Sequence, residues 1–263
     1  MKITKVTKTT ISKIYRPVQN DTHKGIQGHA LIIGGSYGKI GAPLLSSKAA
    51  LHSGCGLVTA FVPKIGYTIL QTAFPEAMVL TDKNENHISN IEFSIVPKAI
   101  GIGMGMGQEP KTRRAFYNFL NTNKVPLVID ADALNILAYN PKWLLSLQPQ
   151  TILTPHSREL ERLIGKWKSD EDKFEKTAAF SKTLKCVVVM KGAPTYIFSD
   201  GNCFENPTGN PALATAGSGD VLTGIITSLI AQNYSAENAS ILGVYIHGLT
   251  ADLARPEKGT QSF

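Results

Sequence analysis

Short apolar runs alternate with amphipathic stretches along most of the chain. The runs lie at 29–35, 56–63, 97–103, 125–131, 151–155 and 186–192. Between them, apolar residues recur at helical spacing, as at 41–54, 111–122 and 157–165. Apolar runs of this length, three of which end in glycine here, are typical of buried strands. Strands that alternate with helices favour a parallel sheet. We therefore predict an α/β fold with a doubly wound, mostly parallel sheet flanked by helices on both faces.

Residues 195–206 depart from this alternation. They contain two short strand-like pieces separated by Asp200-Gly201, a dipeptide typical of a tight hairpin turn. A small β-hairpin is therefore expected beside the main sheet. No linker, internal repeat or low-complexity tract interrupts the pattern, so we expect a single domain over residues 1–263.

A further helix is predicted directly after the sequence AGSGD at 216–220, because apolar residues then fall on one helical stripe through Ile230. A helix N-terminus exposes N–H groups and the positive end of the helix dipole, and glycine lets an anion approach the backbone. Gly217, Ser218 and Gly219 are therefore candidates for an anion hole. Asp220 is then placed to act as a base on a hydroxyl beside a bound phosphate. The alternative is that Ser218 or Asp220 simply caps the helix.

The ends of the other predicted strands carry glycine, carboxylate and histidine. Ligands bind beyond the carboxyl ends of the strands in sheets of this kind, so these positions are expected to converge on one rim. They are Gly34-Gly35-Ser36, the glycine-rich 103–107, Asp130-Ala131-Asp132, Thr154-Pro155-His156 and Lys191-Gly192.

Charge and composition restrict the partners. The formal net charge is +7, but the basic residues are scattered, and neither an aromatic RNA-binding signature nor a regularly spaced basic helix is present. We expect no nucleic-acid partner; the charge suits a solvated surface or a phosphate-rich small ligand.

The chain has no apolar run long enough to span a membrane, and its basic N-terminus lacks the apolar core of a signal peptide. Three cysteines without a CxxC pair indicate reduced thiols, so we predict a cytoplasmic protein without a membrane partner.

Several stretches together resemble one family. AGSGD before an apolar helix is similar to the anion-hole and catalytic-aspartate motif of the ribokinase-like superfamily. In the order of NAD(P)H-hydrate dehydratases, the chain also contains HKGIQGHALIIGGSYGKIGAPLL, PEAM, GIGMGMG, VIDADALN, LTPHSRELERL and VVVMKGAPTYI. The resemblance runs from about His23 to about Leu253 and indicates the stand-alone bacterial type.

The resemblance implies a ribokinase-like fold and a metabolite-repair reaction. In this family the ring hydroxyl of the S-epimer of hydrated NADH or NADPH is phosphorylated, and loss of phosphate then restores the dinucleotide. It also implies ADP as phosphoryl donor (ATP in eukaryotic members), Mg²⁺ as cofactor, and a homo-oligomer, with a tetramer favoured. A vitamin or sugar kinase of the same superfamily and a nucleotide-binding protein without catalysis are the alternatives.

The resemblance also implies roles for the donor side of the site. Asp220 is the catalytic base, and the N–H groups of Ser218 and Gly219 stabilise the transferred phosphoryl group. The nucleotide-binding loop comprises Lys191, Gly192, Ala193, Pro194 and Thr195, and Gly219 contacts the nucleotide phosphates. Without the resemblance, the loop is equally a strand-to-hairpin turn that contains a lysine.

The implied substrate-binding residues are Ala42, Gly105, Gly107, Asp132, Asn135, His156 and Asp220. For Asp132 and Asn135 the alternative role is a helix cap. For the glycine-rich segments that contain Ala42, Gly105 and Gly107, the alternative is a tight turn between a strand and a helix. Glu159 matches the position of an acidic residue that organises Mg²⁺; its alternative is a favourable acid in the first turn of a helix.

The C-terminus departs from the family pattern. The chain stops at GTQSF, where one more short helix is expected, so either the sequence is cut short or this member ends early. Residues 255–263 are accordingly expected to be disordered.

Overall fold

The computed structural model describes residues 2–19 and 21–259, and within these ranges ten strands form one sheet. The strands are β1 (Ile3–Lys5), β2 (His29–Ile33), β3 (Leu57–Val62), β4 (Met78–Thr81), β5 (Ala99–Ile102), β6 (Leu127–Ile129), β7 (Ile152–Leu153), β8 (Val187–Met190), β9 (Thr195–Ser199) and β10 (Asn202–Asn206). Their order across the sheet is β1-β10-β9-β8-β7-β6-β5-β2-β3-β4. The seven strands from β8 to β4 in this order are parallel, as the apolar runs predict.

Strand β9 is antiparallel to both of its neighbours, β8 and β10. The strands β9 and β10 form the predicted hairpin, with Ser199 opposite Asn202 and Asp200-Gly201 in the turn. Strand β1 then adds to β10 in parallel. The hairpin therefore extends the parallel sheet beyond β8, which ends at Met190.

The α-helices are α1 (Lys8–Ile14), α2 (Gly41–His52), α3 (Gly66–Ala73), α4 (Pro110–Thr122), α5 (Ala131–Tyr139), α6 (Ser157–Ile164), α7 (Asp170–Leu184), α8 (Ser218–Ala231) and α9 (Ala236–Lys258). Side chains alternate between the two faces of a strand. Ile32 of β2 therefore packs in the core with α8 and α9, whereas Ile33 packs in the core with α4 and α5. Helices cover both faces of the sheet, so the predicted doubly wound α/β fold is confirmed.

The C-terminal residues differ from the sequence-based expectation. Helix α9 continues to Lys258, and Gly259 ends it with a φ of 72°. The expectation of disorder is therefore wrong for residues 255–258, which extend this helix and keep its backbone hydrogen-bonded. The expectations for residues 260–263 and for one more helix fall outside the described residues.

The three cysteines are buried and free. Burial raises the pKa of Cys55 to about 11 and the pKa values of Cys186 and Cys203 to about 12. These thiols are therefore protonated and unreactive at neutral pH. Separately, no helix among residues 2–19 and 21–259 combines the length and apolar character needed to cross a bilayer.

Candidate active site

The first turn of α8 is built around Gly217. This residue is the N-cap and has a φ of 89°, in the left-handed region that favours glycine. A Cβ there would also press into the Leu45 side chain. No side chain of the described residues caps α8, so neither Ser218 nor Asp220 has the alternative role of an N-cap. The first N–H groups of a helix lack partners within it, which leaves this turn suited to an anion.

A buried charge network lies beside this turn. Lys191 follows β8, and its Nζ lies 2.8 Å from Asp130 Oδ1 and 3.9 Å from Glu159 Oε2. Asp130 Oδ2 accepts a second hydrogen bond, of 2.9 Å, from the Thr223 hydroxyl of α8. Burial by itself would lower the pKa of Lys191, but the Asp130 and Glu159 carboxylates outweigh it and raise that pKa. The ammonium is therefore charged and held between two carboxylates.

The network reaches the predicted anion hole. A Cβ on Gly219 would lie 3.3 Å from Lys191 Nζ and 3.7 Å from Asp130 Oδ2. Next along the helix, burial raises the pKa of Asp220 to about 6; Asp130 adds to the rise and Lys191 opposes it. A carboxylate that titrates near neutrality is well matched to proton abstraction at physiological pH.

The predicted nucleotide loop connects β8 to β9 directly after Lys191. The Thr195 hydroxyl donates to the Gly192 carbonyl over 2.9 Å, which closes the loop on itself. Gly192, Ala193 and Pro194 are exposed, and the loop lines a cavity of about 560 Å³ together with α7. The loop is thus also the strand-to-hairpin turn of the alternative interpretation, and Lys191 connects it to α8.

The structure brings four of the predicted substrate residues together. A Cβ on Gly105 would lie 3.2 Å from the Cβ of Ala42. The Gly107 N–H donates to Asp132 Oδ2 over 3.0 Å, and Lys39 Nζ lies 3.9 Å from the same oxygen. Asp132 therefore binds the glycine loop rather than capping α5.

Loop 103–107 is anchored by its two methionine side chains and by hydrogen bonds to its carbonyls. Met104 and Met106 are completely buried. The Gly35 N–H donates to the Met104 carbonyl over 2.8 Å, and the Ser36 hydroxyl donates to the Gly105 carbonyl over 2.8 Å. The glycine loops after β2 and β5 consequently form one wall of the rim.

Asn135 and His156 have different surroundings. The Asn135 side-chain oxygen lies 2.6 Å from Arg162 Nη1, so this side chain pairs with α6 and does not cap α5. His156 is the N-cap of α6: its Nδ1 accepts from the N–H of Glu159 over 3.3 Å, and Glu159 Oε2 accepts from the His156 N–H over 2.9 Å. Burial, with Lys191 and two arginines adding to its effect, lowers the pKa of His156, so its ring is neutral at physiological pH.

Glu159 therefore has the local role given by its alternative interpretation, an acid in the first turn of a helix. Among the described residues, no three His, Cys, Asp or Glu side chains are grouped so that they could hold a metal ion. Mg²⁺ at phosphoryl-transfer sites needs only one or two carboxylates besides phosphates and waters. The Glu159 and Asp130 carboxylates flank one ammonium and supply oxygen donors of this kind.

Asp130 and Thr223 are site residues for which the sequence predicted no role. Asp130 is the first carboxylate after β6, in the same DAD segment from which Asp132 was chosen. Thr223 lies three residues after Asp220, a spacing that places both near one face of α8. That spacing was a usable signal for Thr223. The convergence of strand ends predicted that Asp130 and Lys191 lie on the same rim, but nothing in the sequence indicated that their side chains pair.

Comparison with known protein families identifies the family of this chain. A sequence model described as NAD(P)H-hydrate dehydratase matches residues 30–262. The chain belongs to this family. A relative in Neisseria meningitidis, named ADP-dependent (S)-NAD(P)H-hydrate dehydratase, is 36% identical over 254 residues, which cover 94% of this chain and 83% of the relative.

Other relatives of the NAD(P)H-hydrate dehydratase family are longer. The bifunctional NAD(P)H-hydrate repair enzyme of Moorella thermoacetica is 39% identical over 251 residues, which cover 91% of this chain and 47% of the relative. The chain therefore spans about half the length of such bifunctional relatives.

Solved structures share the fold. The ADP/ATP-dependent NAD(P)H-hydrate dehydratase of Bacillus subtilis, co-crystallised with ATP and Mg²⁺, has a TM-score of 0.84 at 29% identity, covering 100% of this chain and 94% of that one. A ribokinase-like superfamily protein of Enterococcus faecalis also reaches 0.84, at 27% identity and with 97% and 89% of the two chains covered. The ribokinase-like fold implied by the sequence resemblance is thus confirmed.

Proposed function

We propose that this protein catalyses the ADP-dependent dehydration of the S-epimer of hydrated NADH or NADPH. The observation that carries the proposal is Asp220, a carboxylate with a pKa near 6, at a glycine-flanked helix N-terminus and beside the half-buried Lys191. Membership of the NAD(P)H-hydrate dehydratase family supports it, and so does the Neisseria relative's name.

In the first step, Asp220 takes the proton of the ring hydroxyl. The hydroxyl oxygen forms a bond to the terminal phosphorus of ADP, and the bond from that phosphorus to the bridging oxygen breaks, releasing AMP. In the second step, the ring carbon–oxygen bond breaks, and phosphate leaves with its electron pair. The adjacent ring carbon loses a proton to solvent water, and the electron pair of that carbon–hydrogen bond restores the double bond of NADH or NADPH.

The site residues divide into those that bind the phosphoryl donor, ADP, and those that bind the hydrated dinucleotide. We assign the transferred phosphoryl group to the N–H groups of Gly217, Ser218 and Gly219, where preorganised donors stabilise developing charge. The nucleotide is assigned to Lys191–Thr195 and Gly219. Mg²⁺, when bound with the nucleotide, supplies charge neutralisation for its phosphates, and Glu159 would hold it.

The hydrated dinucleotide is assigned to the opposite wall of the rim. Ala42, Gly105 and Gly107 offer close backbone approach there, and Asp132 offers a carboxylate. Asn135 and His156 complete this proposed set from α5 and α6. We also propose that the chain functions as one domain in a cytoplasmic homotetramer, which light scattering on the purified protein would test.

The test follows absorbance at the reduced-nicotinamide band. Purified protein, Mg²⁺ and hydrated NADH are mixed, and ADP or ATP is added in separate samples. A rise in absorbance with stoichiometric inorganic phosphate, and a larger rate with ADP, is the expected result. In the same assay, Asp220→Asn should show no rise in absorbance. Asp200→Asn is its matched control because Asp200 is exposed in the hairpin turn. No rise with either nucleotide in folded protein would contradict the dehydratase and favour a vitamin or sugar kinase, whose product keeps its phosphate.

A further inference from the structure

The segment that precedes the anion hole is held by α9. Residues 207–217 connect β10 to α8 and contain one short 3₁₀ turn. The Gly209 N–H donates to Asp252 Oδ2 over 2.9 Å, and the Asn210 side-chain amide donates to Asp252 Oδ1 over 3.0 Å. Both oxygens of one carboxylate on α9 are thus used to hold this segment.

The same part of α9 contacts the segment at both of its ends. A Cβ on Gly248 would lie 2.6 Å from the backbone carbon of Thr208, so the backbone there lies directly on the helix. The Thr208 hydroxyl donates to the Tyr245 carbonyl over 2.9 Å. At the other end, His247 Nε2 lies 3.3 Å from the Ser218 hydroxyl, in the first turn of α8. Helix α9 therefore acts as a platform from Thr208 to the anion hole.

We propose that Asp252 is a positioning residue for nucleotide binding. It holds 207–217 in the conformation that presents Gly217–Gly219 to the phosphates of the nucleotide. This inference rests on the proposed function only in taking ADP as the ligand. Asp252 acts through the segment and contacts no reacting atom.

The two parts of the site are anchored separately. Asp220 and the turn that follows it are fixed by the Ser46 hydroxyl, which donates to the Asp220 carbonyl over 2.8 Å, and by the bond from Thr223 to Asp130. Loss of the Asp252 bonds therefore leaves the base in place but loosens the part of the segment that leads from Gly209 into Gly217. The nucleotide must then order that segment when it binds, and ordering reduces affinity. We expect the KM and Kd for ADP to rise while kcat stays within about twofold of wild type.

A reciprocal exchange of side chains tests the pairing. Asp252→Asn has one acceptor oxygen for two donors, and Asn210→Asp places two carboxylates face to face. Each is expected to weaken ADP binding by about tenfold or more, the size expected for losing a hydrogen bond to a charged acceptor. The double variant restores the pattern, because the amide introduced at position 252 can accept from the Gly209 N–H and donate to the carboxylate introduced at position 210. It should recover ADP affinity to within about threefold of wild type.

The control is Glu257→Gln, which removes one exposed negative charge from the same helix and should bind ADP as wild type does. Binding is measured by calorimetry with Mg²⁺ present, and each variant's melting temperature is recorded. If Asp252→Asn does not fold, Asn210→Ala removes the same side-chain bond from the loop side and takes its place.

The inference is overturned if Asp252→Asn and Asn210→Ala both bind ADP with wild-type affinity. It is also overturned if the double variant is no better than either single one, or if kcat falls while KM is unchanged. Wild type that binds ADP but does not dehydrate hydrated NADH refutes the proposed function alone. Wild type that does not bind ADP refutes both.

Discussion

Replacing Asp220 by asparagine should abolish turnover and at the same time make the protein more stable. Burial, assisted by the charge of Asp130, raises the pKa of Asp220 from 3.8 to about 6 in the folded protein. The folded state therefore binds this proton more tightly than the unfolded state does. The ionised carboxylate destabilises the fold, and this penalty is absent below about pH 4 and complete above about pH 6.

The size of the change in folding stability follows from the shift in the pKa of Asp220. A rise of about 2 pKa units corresponds to about 3 kcal/mol. Asp220 is partly exposed, so solvent screening reduces the figure; the dipole of α8 also favours an acid in its first turn by about 0.3–1 kcal/mol. We expect Asp220→Asn to gain about 1–2 kcal/mol at pH 8, or a melting temperature higher by a few degrees.

Thermal unfolding followed by circular dichroism between pH 4 and pH 8 measures this effect, with Asp200→Asn as the control. The advantage of Asp220→Asn should be largest at pH 8 and shrink towards pH 4. If the variant is less stable than wild type at pH 8, or is stabilised equally at every pH, then the ionised Asp220 carboxylate does not destabilise the fold. Wild-type turnover in the variant would remove Asp220 from the mechanism.

Four further predictions concern the same site. Because a general base must be ionised, kcat/KM should fall about tenfold per pH unit below pH 6; a rate profile that stays flat to pH 5 would contradict Asp220 as the base. Gly219→Val should weaken ADP binding at least tenfold, since even a Cβ at this position lies 3.3 Å from Lys191 Nζ; calorimetry showing unchanged affinity would eliminate the anion hole. Lys191→Met should cost about 3–5 kcal/mol in denaturant unfolding at pH 8, because it leaves the buried Asp130 carboxylate without its cation; a loss under about 1 kcal/mol would show that this pair is dispensable. Gly103→Ala should lower both stability and activity, since its φ is 124° and a Cβ would overlap the Asp130 carbonyl; wild-type melting and turnover would argue against this close packing.

Local features of the site could be predicted because neighbouring residues create them. The helix start at Gly217–Asp220 depends on a glycine, a dipole and an apolar stripe that are contiguous in the chain. The hairpin turn at Asp200-Gly201 is equally local. The i, i+3 spacing of His156 and Glu159 places them on one helical turn, where the structure shows that they form a capping box.

Two elements had no clear signal in the sequence. Strand β1 is three exposed residues long and exists because it pairs with β10, whose Cys203 lies opposite Ile3 although the two are far apart in the chain. Helix α9 extends through residues 255–258, where a short polar tail at the end of the chain indicated disorder. The pairing with β10 stabilises β1, and the continuing backbone hydrogen bonds of α9 stabilise residues 255–258, although the local sequence indicates neither structure.

By itself, the sequence determined the alternating strands and helices, the glycine-flanked start of α8 and Asp220 within it, since each depends on residues that are neighbours in the chain. The tertiary structure alone decided that Lys191 pairs with Asp130, 61 residues away, and that Asp252 holds Gly209, 43 residues away. Asp130, Glu159 and Lys191 follow β6, β7 and β8, which are adjacent in the sheet. Hydrophobic periodicity specifies which residues form strands and which face is buried, but the order of strands is set by packing across the whole sheet, and that order brings these three charges together.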